Sequence, residues 1–453
     1  MRPYVLALAS LASLAGPGAG RVLADGAAAP APAPRKLTLD DAIARSLAGP
    51  RARMADGDTA AAAARVAEAD AARLPRVKAT AFGTISPKIE CVDVACTETS
   101  PKNFALAFDG VFGGAQLDVT QPLYTFGKIS HARRAARAGL DAQRALADEA
   151  AGDLAVDAAR AYWGIKLARE LGGMLDDGID EIGKARANME ERTGKDAPSI
   201  QDKQRVAVLL AEARVQRSDA RAGEQQGLAG LRALTGLRDA DVDDAPLEAL
   251  ERAVPSAATG ERRPQALAAR QGAIAAGELA AMARSYYWPD VAIVGSALIS
   301  RAQGVTDPPS AFANDPYNRS GAGLVLAMQW TLEPWNVKAR AARAGAEATR
   351  ARALQDLAAA GASYDASTAL AEATAARDKA LAAADGEKAA RAWVASVLQA
   401  DAVGAAEAKD LADAYIAWFQ MRARWAQAVF QWNVAVVRLG RASGEFRAGS
   451  RRP

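Results

Sequence analysis

The chain has 453 residues, of which 50% are hydrophobic, 24% charged and only 6% aromatic. Alanine dominates the apolar fraction and charged residues are spread among the alanines, a composition typical of long, closely packed helices. The net charge of +3 gives little drive towards nucleic acid. One histidine and two cysteines exclude a multi-histidine or four-cysteine metal site. Phosphate-binding GxxxxGK[ST] and nucleophile GxSxG motifs are absent from the sequence, so we expect neither an enzyme nor a cofactor.

The first residues predict a targeting segment. Arg2 precedes a short apolar run, Gly16-Pro17-Gly18 breaks it, and a small-residue motif ends at Ala24. This pattern indicates a secretory signal peptide over residues 1–24. A membrane anchor is the alternative, but the run is shorter than the about 20 apolar residues of a spanning helix. Residues 25–36 are predicted to be an Ala/Pro-rich linker.

The rest of the chain is predicted to hold a repeat. Residues 133–145 and 339–351 are identical at nine of thirteen positions. Upstream of each segment, a helical pattern ends at a proline that opens a β-like stretch. Downstream of each segment, a helix ends at a glycine. We therefore expect two copies of one helix, two strands and long helices. The first copy covers residues 37–250 and the second 251–445, with a tail at 446–453.

Six helices are predicted, at 39–73 with Thr38 as N-cap, 128–189, 199–234, 263–286, 337–398 and 405–439. Some sixty residues at 1.5 Å per residue give a helix of roughly 90 Å. Helices of this length favour antiparallel coiled coils over a compact globule. Alanine allows the helix backbones to approach each other closely.

Four strands are predicted, three from alternating apolar residues at 77–85, 116–120 and 324–330, and one from the more uniformly apolar run at 291–299. The segments that hold these patterns are each roughly ten residues, a length that suits a tilted strand that crosses a bilayer. A soluble β-sandwich gives the same alternation. Aromatic residues near the helix–strand junctions indicate either a membrane-interface belt or filling of the bundle end. They are Tyr124, Phe126, Tyr286, Tyr287, Trp288, Trp330 and Trp335.

The two cysteines, Cys91 and Cys96, lie in a polar segment between the first two predicted strands. In an exported protein this arrangement predicts an intrachain disulfide in the hairpin loop. There are two alternatives. One is a redox pair, although the spacing is not CxxC, and the other is two free thiols.

Several segments, in this order, resemble the outer-membrane efflux proteins, the TolC family of Gram-negative bacteria. They are Leu37-Thr-Leu-Asp-Asp-Ala-Ile-Ala-Arg-Ser-Leu47, Ala72-Arg-Leu-Pro-Arg-Val77, Gln121-Pro-Leu-Tyr-Thr-Phe-Gly-Lys128, and Val403-Gly404 followed by Asp410 and Asp413. The resemblance covers about residues 37–444. Two places depart from the family pattern: the second strand-to-helix change at 330–335 lacks a glycine, and the turn at 193–198 is longer.

The resemblance implies a mainly α fold with a small β part. Long antiparallel coiled-coil helices would form a periplasmic α-barrel, and four strands per chain would contribute to a twelve-stranded β-barrel of a homotrimer in the outer membrane. The implied function is passive conduction of small toxic compounds or secreted polypeptides. An inner-membrane transporter would supply the energy through a periplasmic adaptor. The alternatives are a non-channel periplasmic coiled-coil protein or adhesin, and an exported hydrolase that uses carboxylates alone.

The resemblance also implies functional residues. Asp410 and Asp413 would line a constricted channel entrance, because their spacing of three places both on one helix face. Solvated acids at a helix start are the alternative. Asp401, Asp202 and Lys409 are lesser candidates for the same constriction. The helix tips at Gly194 and at Val403-Gly404 would dock the adaptor, unless they are plain turns.

Overall fold

The computed structural model describes residues 34–88, 90–91, 99–100, 108–191, 199–305, 317–402 and 408–446, so the predicted signal peptide lies outside it. The helices are α1 (Leu39–Ser46), α2 (Pro50–Ala71), α3 (Lys128–Glu191), α4 (Ile200–Thr235), α5 (Pro264–Ser285), α6 (Pro334–Ala402) and α7 (Ala408–Ala442). The strands are β1 (Arg35–Leu37), β2 (Arg76–Pro87), β3 (Glu90–Cys91), β4 (Thr99–Ser100), β5 (Phe108–Tyr124), β6 (Ala240–Val242), β7 (Asp290–Ala302) and β8 (Arg319–Gln329). The predicted mainly helical class with a small β part is confirmed.

The same order of elements occurs in both halves of the chain. In the first half α2, β2, β5, α3 and α4 follow one another, and in the second α5, β7, β8, α6 and α7 do. The matched helices have similar lengths, with 22 and 22, 64 and 69, and 36 and 35 residues. At 1.5 Å per residue, α3 and α6 are each about 100 Å long.

The segment predicted as one opening helix is two helices. Thr38 caps α1 as predicted, with its Oγ1 accepting a hydrogen bond from the Asp41 amide at 3.2 Å. The helix ends at Ser46 because the chain then passes against the end of α4. A Cβ on Gly49 would collide with the carbonyl oxygen of Leu234. Pro50 starts α2, where its missing N–H costs nothing.

Strands β1 and β6 were not predicted. They pair in parallel, with Leu37 opposite Val242, although Arg35 and Lys36 belong to the segment expected to be a linker. Three-residue strands are too short to show alternation, and their partners lie about 200 residues apart in sequence. Both strands enter the main buried cluster, where they meet α3, α4 and α7.

The four long strands form one antiparallel sheet in the order β2-β5-β7-β8. Each strand is joined directly to one helix: α2 precedes β2, α3 follows β5, α5 precedes β7 and α6 follows β8. These helices pack side by side in the matching order α2-α3-α5-α6. The sheet and the layer of these four helices therefore lie end to end, with their elements in the same order. We call the two layers the sheet storey and the helical storey, and both together the wall.

The turn from β5 into α3 uses two left-handed residues. Phe126 has φ of 49° and Gly127 has φ of 96°. Glycine adopts a positive φ without steric cost because it has no Cβ, whereas phenylalanine adopts it only with strain. The ring of Phe126 stacks on Trp288, with a centroid distance of 5.6 Å. This contact holds the strained residue against the turn between α5 and β7 in the second half.

Candidate functional site

The strand register places one apolar surface across all four strands. In antiparallel pairs, residues directly opposite each other share a face. This surface, the apolar face, consists of Val77, Ala79, Ala81, Gly83 and Ile85 on β2, Val111, Ala115, Leu117 and Val119 on β5, Val291, Ile293, Ala297 and Ile299 on β7, and Leu324, Leu326 and Met328 on β8. At the end of this face away from the helices, the register adds the charged side chain of Arg301, which lies opposite Gly113.

The apolar face is uncovered in the single chain. Leu324, Leu326 and Met328 are 75%, 72% and 69% exposed. Soluble monomers rarely expose contiguous apolar surface of this kind, and where it occurs it marks a contact with a membrane or a partner. The alternation predicted from the sequence therefore corresponds to a real apolar surface.

The opposite face of the sheet, the polar face, carries charged and hydroxyl side chains on β2 and β5, and on β7 and β8 it also carries Val294, Leu298 and Val325. Lys78 lies opposite Asp118 in the β2–β5 register. Gln116 donates a hydrogen bond from Nε2 to Asp118 Oδ1 at 2.9 Å. Thr80 and Ser296 are on the same face. One face apolar and the other polar is the pattern of strands between lipid and water.

Both storeys of the wall end at open edges. Among the described residues, β2 and β8 each pair with a single long strand, so one side of each has unused backbone groups. The outermost helices of the neighbouring storey, α2 and α6, stand at these same edges. A second copy of the wall would therefore continue the sheet and the helical layer at once.

The aromatic residues singled out in the sequence lie together at the boundary between the storeys. The Tyr124 and Phe126 rings are 4.7 Å apart, edge to face. Trp330 donates a hydrogen bond from Nε1 to the Tyr287 carbonyl at 3.2 Å and continues the alternation of the apolar face. Trp335 is 81% exposed. The boundary thus presents aromatic side chains at one end of the apolar face.

Ion pairs fix the helices of the wall to one another. On α5, Glu278 lies 2.7 Å from His131 Nδ1 and 2.9 Å from Arg134 Nε, both on α3. Burial raises the pKa of Glu278, but the hydrogen bonds from His131 and Arg134 outweigh it and hold the pKa below its usual value. Asp70 on α2 accepts a hydrogen bond from Arg133 on α3, and this bond joins the two helices and lowers the pKa of Asp70.

A buried charged cluster, which the sequence did not suggest, anchors the parallel strand pair to α3. Lys166 Nζ lies 2.5 Å from Asp243 Oδ1 and 2.7 Å from the Ala245 carbonyl, and its side chain is only 4% exposed. Tyr162 donates a hydrogen bond to Asp243 Oδ2 at 2.9 Å, and burial raises the pKa of this phenol. The only sequence signal is the Tyr162-Trp163 pair within an alanine-rich helix.

The predicted entrance residues lie at the start of α7. Asp410 and Asp413 are both exposed. Ala414, beside them, is fully buried and packs in a cluster with Val394 and Val397 of α6. This packing fixes which side of α7 faces α6.

Several other predicted site residues fall outside the described residues. They are the tips at Gly194, Val403 and Gly404, and the side chains of Asp202 and Asp401. Lys409 is described and exposed on α7. The roles of all these residues stay predictions.

The segment that holds the two cysteines is closed at its ends by β3 and β4, which place Cys91 opposite Thr99 in register. Cys96 and the side chain of Cys91 lie outside the described residues. The disulfide stays a prediction: quantitative thiol labelling of unreduced, denatured protein should find no free thiol, and two per chain only after reduction. Two reactive thiols before reduction would show that the bond is absent.

Within the described ranges, no helix is both long enough and apolar enough to cross a lipid bilayer. The same residues contain no group of three His, Cys, Asp or Glu side chains placed to hold a metal ion.

The chain is similar to solved outer-membrane channels over nearly its whole length. With CmeC of Campylobacter jejuni, the TM-score is 0.75 at 14% identity, covering 97% of this chain and 95% of that chain. With MtrE of Neisseria gonorrhoeae in its open state it is 0.73 at 17% identity, covering 90% and 88%. With VceC of Vibrio cholerae it is 0.72 at 17% identity, covering 90% and 96%. No protein-family model and no curated protein matches the chain.

These likenesses establish the fold. The chain has the fold of the outer-membrane channels, which confirms the resemblance to the TolC family at the level of the fold.

Proposed function

We propose that this protein is the outer-membrane channel of a tripartite export system and acts as a homotrimer. The observation that carries the proposal is the sheet with one apolar face, one polar face and two open edges. In lipid each unsatisfied backbone group costs several kcal/mol, so an open sheet edge is not stable there. Three copies closing edge to edge would form a twelve-stranded barrel, with the apolar face towards lipid and the polar face towards a water-filled lumen.

The helical storey supports the same closure. Its outer helix α6 exposes Leu357 and Tyr364 to 68% and 69% in the single chain. Rotational symmetry that joins β8 to the β2 of a neighbour also joins α6 to the neighbour's α2. One symmetric contact thus removes exposed apolar surface and open strand edges together. The helices would continue the barrel as a tunnel into the periplasm.

The transport role follows from this shape. The chain would conduct small toxic compounds or secreted polypeptides passively, with energy from an inner-membrane transporter and a periplasmic adaptor between them. Asp410 and Asp413 would narrow the periplasmic entrance, with Asp401, Asp202 and Lys409 nearby. A coiled-coil spacer or adhesin without a pore is less well supported, because it gives no reason for an exposed apolar face on a sheet.

Cell fractionation tests the proposed location and assembly. We expect the protein in outer-membrane fractions and a slowly migrating trimer on unboiled gels, which boiling converts to monomer. A soluble periplasmic monomer would contradict the proposal.

Bulky or charged substitutions at the predicted helix tip should uncouple the channel from its adaptor. We expect Gly404→Glu to abolish drug resistance in cells, because a charged side chain at the tip disturbs docking, while the amount of trimer in the outer membrane stays the same. Gly173→Glu, at an exposed α3 position where a Cβ has open space, is the matched control and should keep resistance. Full resistance in the Gly404 variant would remove the tip from the docking surface.

A further inference from the structure

Positive charge is concentrated at the boundary between the sheet and the helical storey. Four segments meet there, residues 73–76, 121–128, 284–290 and 330–340. Together these 30 residues carry six basic and two acidic side chains, a net charge of +4. The whole chain of 453 residues carries only +3. The boundary therefore differs in charge from the rest of the protein.

Both acidic side chains of the boundary already have partners. Asp290 accepts a hydrogen bond from Lys128 Nζ at 2.8 Å, and Lys128 is only 14% exposed. Glu333 accepts one from Asn336 at 3.0 Å. Lys128 and Asp290 neutralise each other, and the five other basic side chains with Glu333 leave a net charge of +4 at the boundary.

Four exposed cations remain beside the aromatic residues, and we refer to them as the basic collar. They are Arg73, Arg284, Lys338 and Arg340. Within the described part of the chain, Arg73, Arg284 and Lys338 form no ion pair, and Arg340 lies over the Tyr286 ring at 5.2 Å. Arg76 is excluded from the collar because its register opposite Thr120 places it on the polar face.

The collar coincides with the aromatic end of the apolar face. Trp330 continues the alternation of Leu326 and Met328 on β8. Lys338 follows Trp335 by three residues on α6, so both lie on one side of that helix. Exposed tryptophan and tyrosine next to lysine and arginine, at the end of an apolar surface, mark the level of lipid headgroups.

We infer that the basic collar binds the headgroups of anionic phospholipids in the leaflet next to the helical storey. The inference rests on the proposed insertion of the sheet into a membrane. The charged atoms available at that depth are headgroup phosphates, and each Lys or Arg close to an anionic lipid surface changes affinity by about fivefold. In a trimer the collar would bring three copies of its four cations to one plane.

The experiment compares two lipids by their quenching of tryptophan fluorescence. Purified trimers are placed in vesicles that contain phosphatidylcholine and phosphatidylglycerol, one of which has brominated acyl chains. Trp288, Trp330 and Trp335 lie at the boundary and report which lipid is adjacent. The test variant carries Arg73→Gln, Arg284→Gln, Lys338→Gln and Arg340→Gln. The matched control removes the same charge from exposed α4 positions, with Lys203→Gln, Arg205→Gln, Arg214→Gln and Arg221→Gln.

We expect the unmodified protein to prefer phosphatidylglycerol by about fivefold or more at low ionic strength. The preference should disappear near 1 M salt, where the Debye length is about 3 Å. The collar variant should lose it, and the α4 variant should keep it. No preference in the unmodified protein, or equal loss in both variants, would overturn the inference. Failure of the trimer to insert into pure phosphatidylcholine would instead overturn the proposed function, and the inference with it.

Discussion

Replacing Asp410 and Asp413 together by alanine is expected to abolish block of the channel by trivalent cations and to weaken its cation selectivity. Both carboxylates are exposed at the start of α7, and a spacing of three places them on one side of the helix. Three copies would gather six carboxylates at the proposed entrance. A ring of acidic side chains favours cations and binds multivalent ones most strongly. Single-channel recording in planar lipid bilayers measures both properties.

The matched control for this variant is the double change of Asp177 and Asp180 to alanine. These two acids have the same spacing of three and are also exposed, but they lie within α3. We expect the control channel to keep its selectivity and its block by trivalent cations. If the Asp410 and Asp413 variant behaves like the control, the two residues do not line the entrance.

Asp243→Ala is expected to destabilise the protein by about 3–5 kcal/mol, the typical cost of leaving a buried charge unpaired. The Lys166 side chain is only 4% exposed, and Asp243 is the carboxylate that neutralises it. Adding Lys166→Met should recover most of the loss, because an apolar side chain replaces the unpaired ammonium. Arg343→Ala, which breaks an exposed pair with Glu347, should cost at most about 1 kcal/mol. Midpoints of urea unfolding compare the variants, and equal midpoints for Asp243→Ala and Arg343→Ala would contradict this role.

The same pair gives a pH dependence with a defined sign. Burial raises the pKa of Asp243, but hydrogen bonds from Lys166 and Tyr162 outweigh it and lower the pKa below its usual value. A carboxyl whose pKa is lower in the folded state contributes stability above its unfolded pKa of about 3.9 and loses it as pH falls through the folded value. Stability should therefore fall below about pH 4, and less steeply in the variant with Lys166→Met and Asp243→Ala. Equal slopes in the two proteins would exclude Asp243 as a source of the acid sensitivity.

The long helices and the four long strands could be predicted because each depends on a local periodicity. A period of 3.6 residues gave α3 over 128–189, within two residues of its observed end at Glu191. Alternation gave the centre of β5 at 116–120 but not its full extent, Phe108–Tyr124, because glycines and phenylalanines near its start interrupt the pattern. The break before Pro50 was missed because it results from contact with the end of α4, which lies far away in sequence.

The buried cluster could not be predicted because it depends on pairing between distant segments. Leu37 meets Val242, and Lys166 meets Asp243, only after α3 and α4 have folded back on each other. The faces of the sheet show an intermediate case. Alternation within each strand separates its apolar from its polar residues, but the pairing of β5 with β7 across the two halves follows from the structure alone.

The most direct test of the account is the conductance of purified protein in planar lipid bilayers. A closed barrel with a polar lumen predicts discrete, long-lived conductance steps that appear only with the trimer and vanish when the trimer is boiled. The variant Leu326→Pro should give no steps, because β8 pairs on both sides in the closed barrel and a proline within it removes a backbone hydrogen bond from the sheet. Membrane-inserted trimers that never conduct, or conductance from boiled monomers, would contradict the claim that this protein is a trimeric channel.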